Sequence, residues 1–209
     1  MNIPFCEWNL FKEKADRSNF KSGEPISVLS WDGHGGDVAA SFEAAHSNDS
    51  VLLVYNVFES DFLARFNNHN DPVYQDSCVE FFINFEEDSG YYNFEFNSLG
   101  TCLAAYGSDR NSRERLSLEL IDKIDSFSTI KTAQHEVFGK GVLWQLQLKI
   151  PVELFCNSQI LSLAGKKGYA NFYKCGDDLP KPHFYSWKKI GTPEPDFHQP
   201  DYFGDIEFE

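Results

Sequence analysis

The chain has 209 residues, a length that suits one large all-β domain. Its net charge of −14 comes from 32 acidic against 18 basic residues, and its 20 phenylalanines and 9 tyrosines favour strands over helices. Binding to a phosphate backbone or an anionic membrane surface depends on clustered lysine and arginine, so the charge argues against both partners. No apolar run is long enough to cross a bilayer, so we expect no membrane insertion.

The five cysteines are odd in number and widely dispersed. They are Cys6, Cys78, Cys102, Cys156 and Cys175. Their spacing predicts neither a disulfide framework nor a zinc knuckle. The amino terminus, MNIPFCEWNLFKEK, has no basic leader followed by an apolar run, which slightly favours the cytoplasm while leaving the location unknown. The sequence does not define an oligomeric state.

The first half of the chain begins with an extension, residues 1–36, that we expect to be irregular and packed on the domain. Asp37 to Ala45 alternates between apolar and polar residues, and Ser50 to Val57 is more continuously apolar. Both patterns predict strands, and Asn48-Asp49 supplies turn chemistry between them, so we predict a hairpin. Glu59 to Asn70 departs from alternation and predicts a long loop or a single helical turn.

The segment from Asp71 to Asn97 predicts two dense strands joined by a short acidic turn. Because successive strand residues point to opposite faces, each strand should have one apolar face and one mixed face. The apolar faces are Ser77, Val79, Phe81 and Ile83 in the first strand and Tyr92, Phe94 and Phe96 in the second. The mixed faces are Asp76, Cys78, Glu80 and Phe82, then Tyr91, Asn93, Glu95 and Asn97.

The second half of the chain predicts further short strands separated by turns. The predicted strands are Gly100 to Tyr106, Phe127 to Val137, Val142 to Ile150, Gly168 to Cys175 and Asp205 to Glu209. We predict a turn at Gly139-Lys140-Gly141 and a helical turn over Pro151 to Cys156, while Leu116 to Ile124 is ambiguous between strand and helix. With no internal repeat or linker, residues 1–209 form one predicted domain, an antiparallel β-sandwich resembling a jelly roll.

Several segments follow one another in a recognisable order: QDSCVEFFI, YYNFEFNSLG, NFYKCGD, the SW pair at Trp187, and PDFHQPDYFG. In this respect the chain resembles the carbohydrate-binding family 9-like domains, relatives of the family 9 carbohydrate-binding modules found on xylanases. The resemblance extends from about Val38 to the carboxyl end. It implies a jelly-roll-like β-sandwich that binds a saccharide without catalysis.

The resemblance also implies a site, since the xylanase-linked modules hold sugar between two aromatic side chains. By position in the motifs, Tyr74 and Trp187 would be the two aromatic platforms, with Glu80, Glu95 and Asn97 between them. An aromatic ring offers a flat apolar surface to a pyranose, and a carboxylate accepts strong hydrogen bonds from hydroxyls. The chain departs from the modules in having tyrosine where they have tryptophan, and Glu95 where a basic residue is expected.

Other interpretations of the same residues remain open. Trp187 follows His183-Phe184-Tyr185, and the sequence is equally compatible with a role for it as a core residue. The sequence is nearly as compatible with Glu80 as a buried carboxylate paired with Arg110, Arg113 or a lysine. We include Arg110 among the predicted ligand-binding residues. The alternative function is a structural or protein-interaction sandwich that has lost sugar binding.

An enzyme acting on carbohydrate ranks third among the functions. Glu80 and Glu95 are predicted neighbours across the hairpin, yet nothing else in the sequence supports catalysis, so we expect no enzyme. No cofactor is required. Structural calcium is compatible with the acidic residues Asp71, Asp76, Glu86, Glu87 and Asp88, whereas the spacing of Cys175, His183 and His198 does not indicate a zinc site. The metal ligands, if any, are therefore undefined.

Overall fold

The protein is a sandwich of two β-sheets with little helix. A computed structural model describes residues 1–17 and 23–209. One sheet has nine strands, in the order β1-β14-β12-β6-β7-β8-β9, with β13 joined to β12 and β3 joined to β13. The other has five strands in the order β10-β11-β5-β4-β2. Within the described ranges, the strand pairs are antiparallel except β1 and β14, which are parallel.

The strands of the nine-stranded sheet come from all parts of the described chain. They are β1 (Asn2–Ile3), β3 (Val28–Leu29), β6 (Cys78–Phe85), β7 (Tyr91–Asn97), β8 (Cys102–Gly107), β9 (Glu114–Arg115), β12 (Lys167–Cys175), β13 (Phe184–Ser186) and β14 (Gly204–Phe208). Because β6 and β7 are joined by a short turn but β12 lies on the other side of β6, the centre of this sheet combines local and long-range pairing.

The five-stranded sheet carries most of the longer strands. They are β2 (Glu24–Pro25), β4 (Val38–His46), β5 (Ser50–Glu59), β10 (Asp125–His135) and β11 (Gly139–Pro151). There are two α-helices in the described part of the chain, α1 (Trp8–Arg17) and α2 (Leu118–Ile121), and Ser117 caps α2 by accepting a hydrogen bond from the amide of Leu120. Short 3₁₀ turns occur at Val73–Gln75, Val152–Leu154 and Pro200–Tyr202.

The main core lies between the sheets. The strand alternation places Val79, Phe81 and Ile83 of β6 in it, together with Tyr92, Phe94 and Phe96 of β7. A second buried cluster lies on the opposite, outer face of the nine-stranded sheet and includes Cys78, Phe82, Tyr91, Tyr173 and Phe197. The outer face is therefore not a solvated surface: loops and the carboxyl-terminal tail cover it.

The strand predictions are largely confirmed, including the hairpin of β4 and β5, in which Asn48 adopts a positive φ of 64°. The predicted turn at Gly139-Lys140-Gly141 is wrong. Those residues begin β11, because Gly139 and Gly141 pair with the end of β10. The turn therefore lies at residues 136–138, and Gly139, directly after it, has a positive φ of 78°.

The amino-terminal extension is more regular than predicted, since residues 1–36 contain α1 and three short strands. Phe11 of α1 packs on Ala45, Leu52 and Val54 at the outer face of the five-stranded sheet. Residues 18–22 of this extension lie outside the described residues. The β-sandwich is confirmed; the jelly-roll connectivity stays a prediction.

Candidate functional site

A cavity of about 340 Å³ opens on the outer face of the nine-stranded sheet. We call it the outer cavity. Its floor carries Glu80 of β6, Glu95 of β7 and Cys175 of β12, and its walls come from connecting segments and from the strands β8, β9 and β13. The wall residues include Tyr74, Arg110, Arg113, Asp177, Phe184, Phe197 and His198. The lining mixes aromatic side chains with several charged groups, so it is more polar than that of a usual small-molecule pocket.

The floor follows from strand register. Glu80 and Glu95 are direct partners across the β6–β7 hairpin, so both carboxyl groups point to the same face. The predicted proximity of these two residues is therefore confirmed. Each is only 3% exposed, which makes the floor a pair of buried acids.

Glu95 has one satisfied and one unsatisfied oxygen. Its Oε1 accepts a hydrogen bond of 3.0 Å from the side chain of Asn93, and it lies 3.6 Å from Nη1 of Arg113. That ion pair is longer than a hydrogen bond. Among the described residues, neither Oε2 of Glu95 nor Nη1 of Arg113 has a hydrogen-bond partner, although both atoms are buried. The cavity thus holds a free acceptor and a free donor close together.

The floor acids resist ionisation. Burial, opposed by the Arg113 guanidinium, raises the pKa of Glu95 to about 7. Burial and the neighbouring Glu95 raise the pKa of Glu80 well above its ordinary value. Burial also raises the pKa of Asp177, at the cavity wall, to about 6. Near neutral pH the pair of floor carboxyl groups therefore carries less than two negative charges.

The aromatic walls come from two distant segments. Tyr74 lies in the 3₁₀ turn before β6, where it is half-buried. Phe197 belongs to the tail and stacks on Tyr173 of β12, with ring centroids 4.2 Å apart. His198, the next residue, shares a hydrogen bond of 2.8 Å with the Tyr91 hydroxyl. Burial, then the charges of Arg113 and Arg110, lowers the pKa of His198 to about 2, so it is a neutral wall residue.

Of the six predicted ligand-binding residues, Tyr74, Glu80, Glu95 and Arg110 come together at the outer cavity. The Arg110 guanidinium is more than half exposed at the rim and lies 3.8 Å from Asp196. Glu80 does not form the predicted ion pair with an arginine or lysine among the described residues. Oε1 of Glu80 accepts a hydrogen bond of 3.1 Å from the Cys175 thiol instead.

Trp187 does not lie at the outer cavity, and its predicted position opposite Tyr74 is corrected by the structure. The indole packs edge-on against Phe42 and Phe172 of the inter-sheet core, with centroids 5.9 and 5.7 Å apart. Lys188 covers it, with Nζ 3.8 Å from the ring centroid. The second aromatic wall is formed by Phe184 and Phe197, because the tail crosses the sheet at those residues.

Asn97 likewise lies away from the outer cavity, in contrast to its predicted place on the floor. The side chain is completely buried and donates to the Phe66 carbonyl at 2.7 Å and to Oδ2 of Asp76 at 3.1 Å. Its own carbonyl oxygen accepts from the amides of Leu99 and Thr101. Both the amide nitrogen and the amide oxygen of Asn97 therefore form hydrogen bonds that hold the turn after β7 and the loop before β6.

Sequence reasoning assigned no site role to Arg113, Asp177, Phe184, Phe197 or His198. The signal for Arg113 was present, since the polar loop before β9 contains Arg110 and Arg113, β9 itself ends at Arg115, and all three arginines line the cavity. Phe197 and His198 fall within the tail motif PDFHQPDYFG, but no local pattern indicates which tail residues cover the sheet.

The acidic residues proposed for calcium do not form a metal-binding group in the described part of the chain. Asp76 is completely buried and accepts hydrogen bonds from the amides of Arg65 and Phe66 and from Nε of Arg65. Calcium binding stays a prediction. The one group of three potential ligands among the described residues is Cys78, Glu80 and Cys175. No described helix is long and apolar enough to cross a membrane.

Comparison with known proteins agrees with this architecture. The family model for carbohydrate-binding family 9 matches residues 12–208. A protein from Bacteroides uniformis ATCC 8492, described as a candidate carbohydrate-binding protein, is 35% identical, with a TM-score of 0.87 over 100% of this chain and 98% of its own. A search of curated proteins found no match.

Two further structures are similar in fold alone. Both are family 9 carbohydrate-binding modules from Caldicellulosiruptor kristjanssonii. One, in complex with glucose, is 11% identical with a TM-score of 0.58 and covers 100% of this chain and 95% of its own. The other, in complex with cellotriose, is 12% identical with a TM-score of 0.56 and covers 100% and 93%. Because the family model spans nearly the whole sequence, the chain belongs to carbohydrate-binding family 9.

Proposed function

We propose that the chain binds a saccharide, without catalysis, in the outer cavity. The observation that carries the proposal is that two buried atoms, Oε2 of Glu95 and Nη1 of Arg113, lack hydrogen-bond partners among the described residues and belong to residues that line the cavity. An unsatisfied buried polar group costs about 1–3 kcal/mol, so the folded chain retains a cost that a suitable ligand removes.

A sugar hydroxyl matches this pair because it donates and accepts at once. It can donate to the Glu95 carboxylate and accept from the Arg113 guanidinium, and hydrogen bonds to charged groups are stronger than neutral ones. Tyr74 and Phe197 then offer ring surfaces to the apolar CH groups of the pyranose. Polar floor and aromatic walls together favour a polyhydroxylated ring over a purely apolar ligand.

The size of the outer cavity favours a short ligand. Its volume of about 340 Å³ is near the lower end of the range of about 300–1,000 Å³ that is usual for small-molecule sites. A monosaccharide, or the terminal residues of a longer chain, fits this scale. Family membership supports a saccharide ligand without catalysis, and the complexes of related modules with glucose and cellotriose make those two sugars the first to test.

The test is isothermal titration calorimetry with glucose, cellotriose and a panel of other mono- and disaccharides, on the wild type and on Tyr74→Ala. Tyr169 provides a matched control, because it is a partly exposed tyrosine of β12 that does not line the cavity. We expect saturable binding that Tyr74→Ala weakens about tenfold, as loss of one stacking contact of about 1.5 kcal/mol implies. Tyr169→Ala should bind as the wild type does.

Two outcomes would contradict the proposal. Absence of heat with every sugar would favour a structural or protein-interaction domain. Equal loss in Tyr74→Ala and Tyr169→Ala, with both variants folded by circular dichroism, would place binding elsewhere on the protein.

Glycoside hydrolysis is the second candidate, and one specific observation favours it. Glu80 and Glu95 are opposed across the hairpin and both have raised pKa values, an arrangement that can supply a protonated acid beside a carboxylate. The test is release of reducing sugar from oligosaccharides during prolonged incubation. Turnover by the wild type that is lost in Glu80→Gln would support an enzyme, and intact ligand recovered after binding would exclude hydrolysis of that ligand.

A further inference from the structure

Cys78 and Cys175 are direct partners on the neighbouring strands β6 and β12, and both side chains are buried and unoxidised. Glu80 lies two residues beyond Cys78 on the same face of β6, and its carboxylate accepts a hydrogen bond from the Cys175 thiol. The two sulfurs and a carboxylate oxygen all lie within 4.8 Å of one another. Glu80 and Cys175 of this sulfur–sulfur–carboxylate group lie on the floor of the outer cavity.

We infer that Cys78, Glu80 and Cys175 form a binding site for a thiophilic divalent cation of the zinc or cadmium class. Thiolate and carboxylate are ligands that zinc uses at about 2.3 and 2.0–2.2 Å, which puts neighbouring donors about 3.5–3.8 Å apart. Because the donors lie within 4.8 Å of one another, a shift of no more than about 1 Å in any pair closes the set. The paired sulfurs select against calcium, which takes oxygen ligands.

The position of the group suits three protein ligands and one open coordination position. Glu80 and Cys175 both line the outer cavity, so the open position faces solvent or a ligand there.

The surroundings of Glu80 also argue for a cation. No lysine, arginine or histidine among the described residues forms an ion pair with its carboxylate, and its hydrogen-bond donor is a thiol, which is a weak donor.

Binding is an exchange of protons for the metal. Two S–H bonds break as two metal–sulfur bonds form, and the thiol protons pass to the buffer, together with the Glu80 proton when that carboxyl is protonated. No oxidant or reductant takes part. Apparent affinity should therefore rise with pH, and metal binding should raise the unfolding temperature of the protein.

The test uses Cd²⁺ alone, added to the reduced, folded chain, and follows the ultraviolet charge-transfer absorption of cadmium–thiolate bonds together with calorimetry. We expect one ion per chain, competition by Zn²⁺ and no competition by Ca²⁺. Cys175→Ser and Cys78→Ser should lose the absorption. Glu80→Gln should retain the charge-transfer absorption but bind Cd²⁺ at least about tenfold more weakly, since losing even an outer partner of a metal ligand costs about that factor.

A matched control separates this site from the more accessible thiols. Cys6 and Cys156 are the cysteines that are not fully buried, and the double variant Cys6→Ser/Cys156→Ser should bind as the wild type does. If the single variants at Cys78 and Cys175 do not fold, this double variant and Glu80→Gln still decide the question. Loss of binding in the double variant, unchanged affinity in Glu80→Gln, or no charge-transfer absorption in the folded wild type would overturn the inference.

Discussion

Glu59 and Lys174 form an ion pair of 3.0 Å between two completely buried side chains, and the pair joins the two sheets. Glu59 ends β5 of the five-stranded sheet, whereas Lys174 belongs to β12 of the nine-stranded sheet. Nε1 of Trp144 donates a hydrogen bond of 2.6 Å to Glu59, and Nζ of Lys174 donates to the Cys175 carbonyl at 2.7 Å. The pair therefore holds one end of the sandwich behind the outer cavity.

We expect Lys174→Met to lower the free energy of unfolding by about 3–5 kcal/mol, because Glu59 is left buried without its counter-ion. The double variant Glu59→Gln/Lys174→Met should lose less, since it removes both charges and keeps an acceptor for Trp144. Urea unfolding of the wild type, of Glu59→Gln and Lys174→Met alone, and of the double variant measures the coupling free energy between Glu59 and Lys174.

The exposed pair of Lys167 and Glu207 supplies the comparison, because both side chains are about half exposed. Lys167→Met should change stability by no more than about 1 kcal/mol, as is usual for surface ion pairs. A Lys174→Met variant as stable as Lys167→Met would show that the buried pair contributes little.

Asp76 is the second expected determinant of stability. Its buried carboxylate accepts hydrogen bonds from two backbone amides, from Arg65 and from Asn97, so it fixes the loop that leads into the cavity wall. Asp76→Ala should destabilise the fold by about 3–5 kcal/mol in denaturant unfolding, because charged and neutral donors all lose their acceptor. Asp178→Ala removes the exposed partner of the same arginine, 2.9 Å away, and should cost about 1 kcal/mol or less. Similar losses in the two variants would contradict this assignment.

Glu95 should matter for ligand affinity more than for folding. Glu95→Gln keeps the volume of the side chain but removes the charge that Glu95 carries above its pKa of about 7 and that the proposed sugar hydroxyl would meet. Hydrogen bonds to charged groups contribute about 1.5–3 kcal/mol, so calorimetry at a pH above that pKa should give a saccharide Kd raised about 10- to 100-fold. Glu207→Gln, on the exposed part of β14, is the control. Unchanged affinity in Glu95→Gln would remove this carboxylate from the binding site.

His183 should make the protein sensitive to acid. Burial, and then the charge of Lys174, lowers the pKa of His183 to about 2 in the folded state. In the unfolded chain it has an ordinary pKa of about 6.5, so between these values the unfolded chain binds a proton that the folded chain excludes. The contribution of neutral His183 is thus complete above pH about 6.5 and declines as the pH falls.

Urea titrations between neutral and mildly acidic pH measure this effect. We expect His183→Gln to reduce the loss of stability by up to about 1.4 kcal/mol per pH unit relative to the wild type. The comparison must be between variants, because the raised pKa values of Glu80, Glu95 and Asp177 act in the opposite direction. Parallel pH profiles for the wild type and His183→Gln would refute a neutral buried His183.

The alternation of side chains along a strand is local, and the predictions that rested on it are confirmed. Val79 and Phe81 face the inter-sheet core while Cys78 and Glu80 face outward, because a strand turns its side chains by half a revolution at each residue. The short hairpin then places Glu95 beside Glu80. Two of the floor residues of the outer cavity therefore follow from sequence alone.

The remaining features depend on contacts between distant segments, which no local pattern specifies. Cys175 joins the floor because β12 pairs with β6, and Phe197 becomes a wall because the tail crosses the outer face. Trp187, only ten residues earlier in that tail, packs instead against the inter-sheet core. Strand period and turn chemistry, which are local, determined the strands and the two floor acids. The pairing of distant strands and the packing of loops and tail, which depend on the whole chain, decided which residues meet at the cavity.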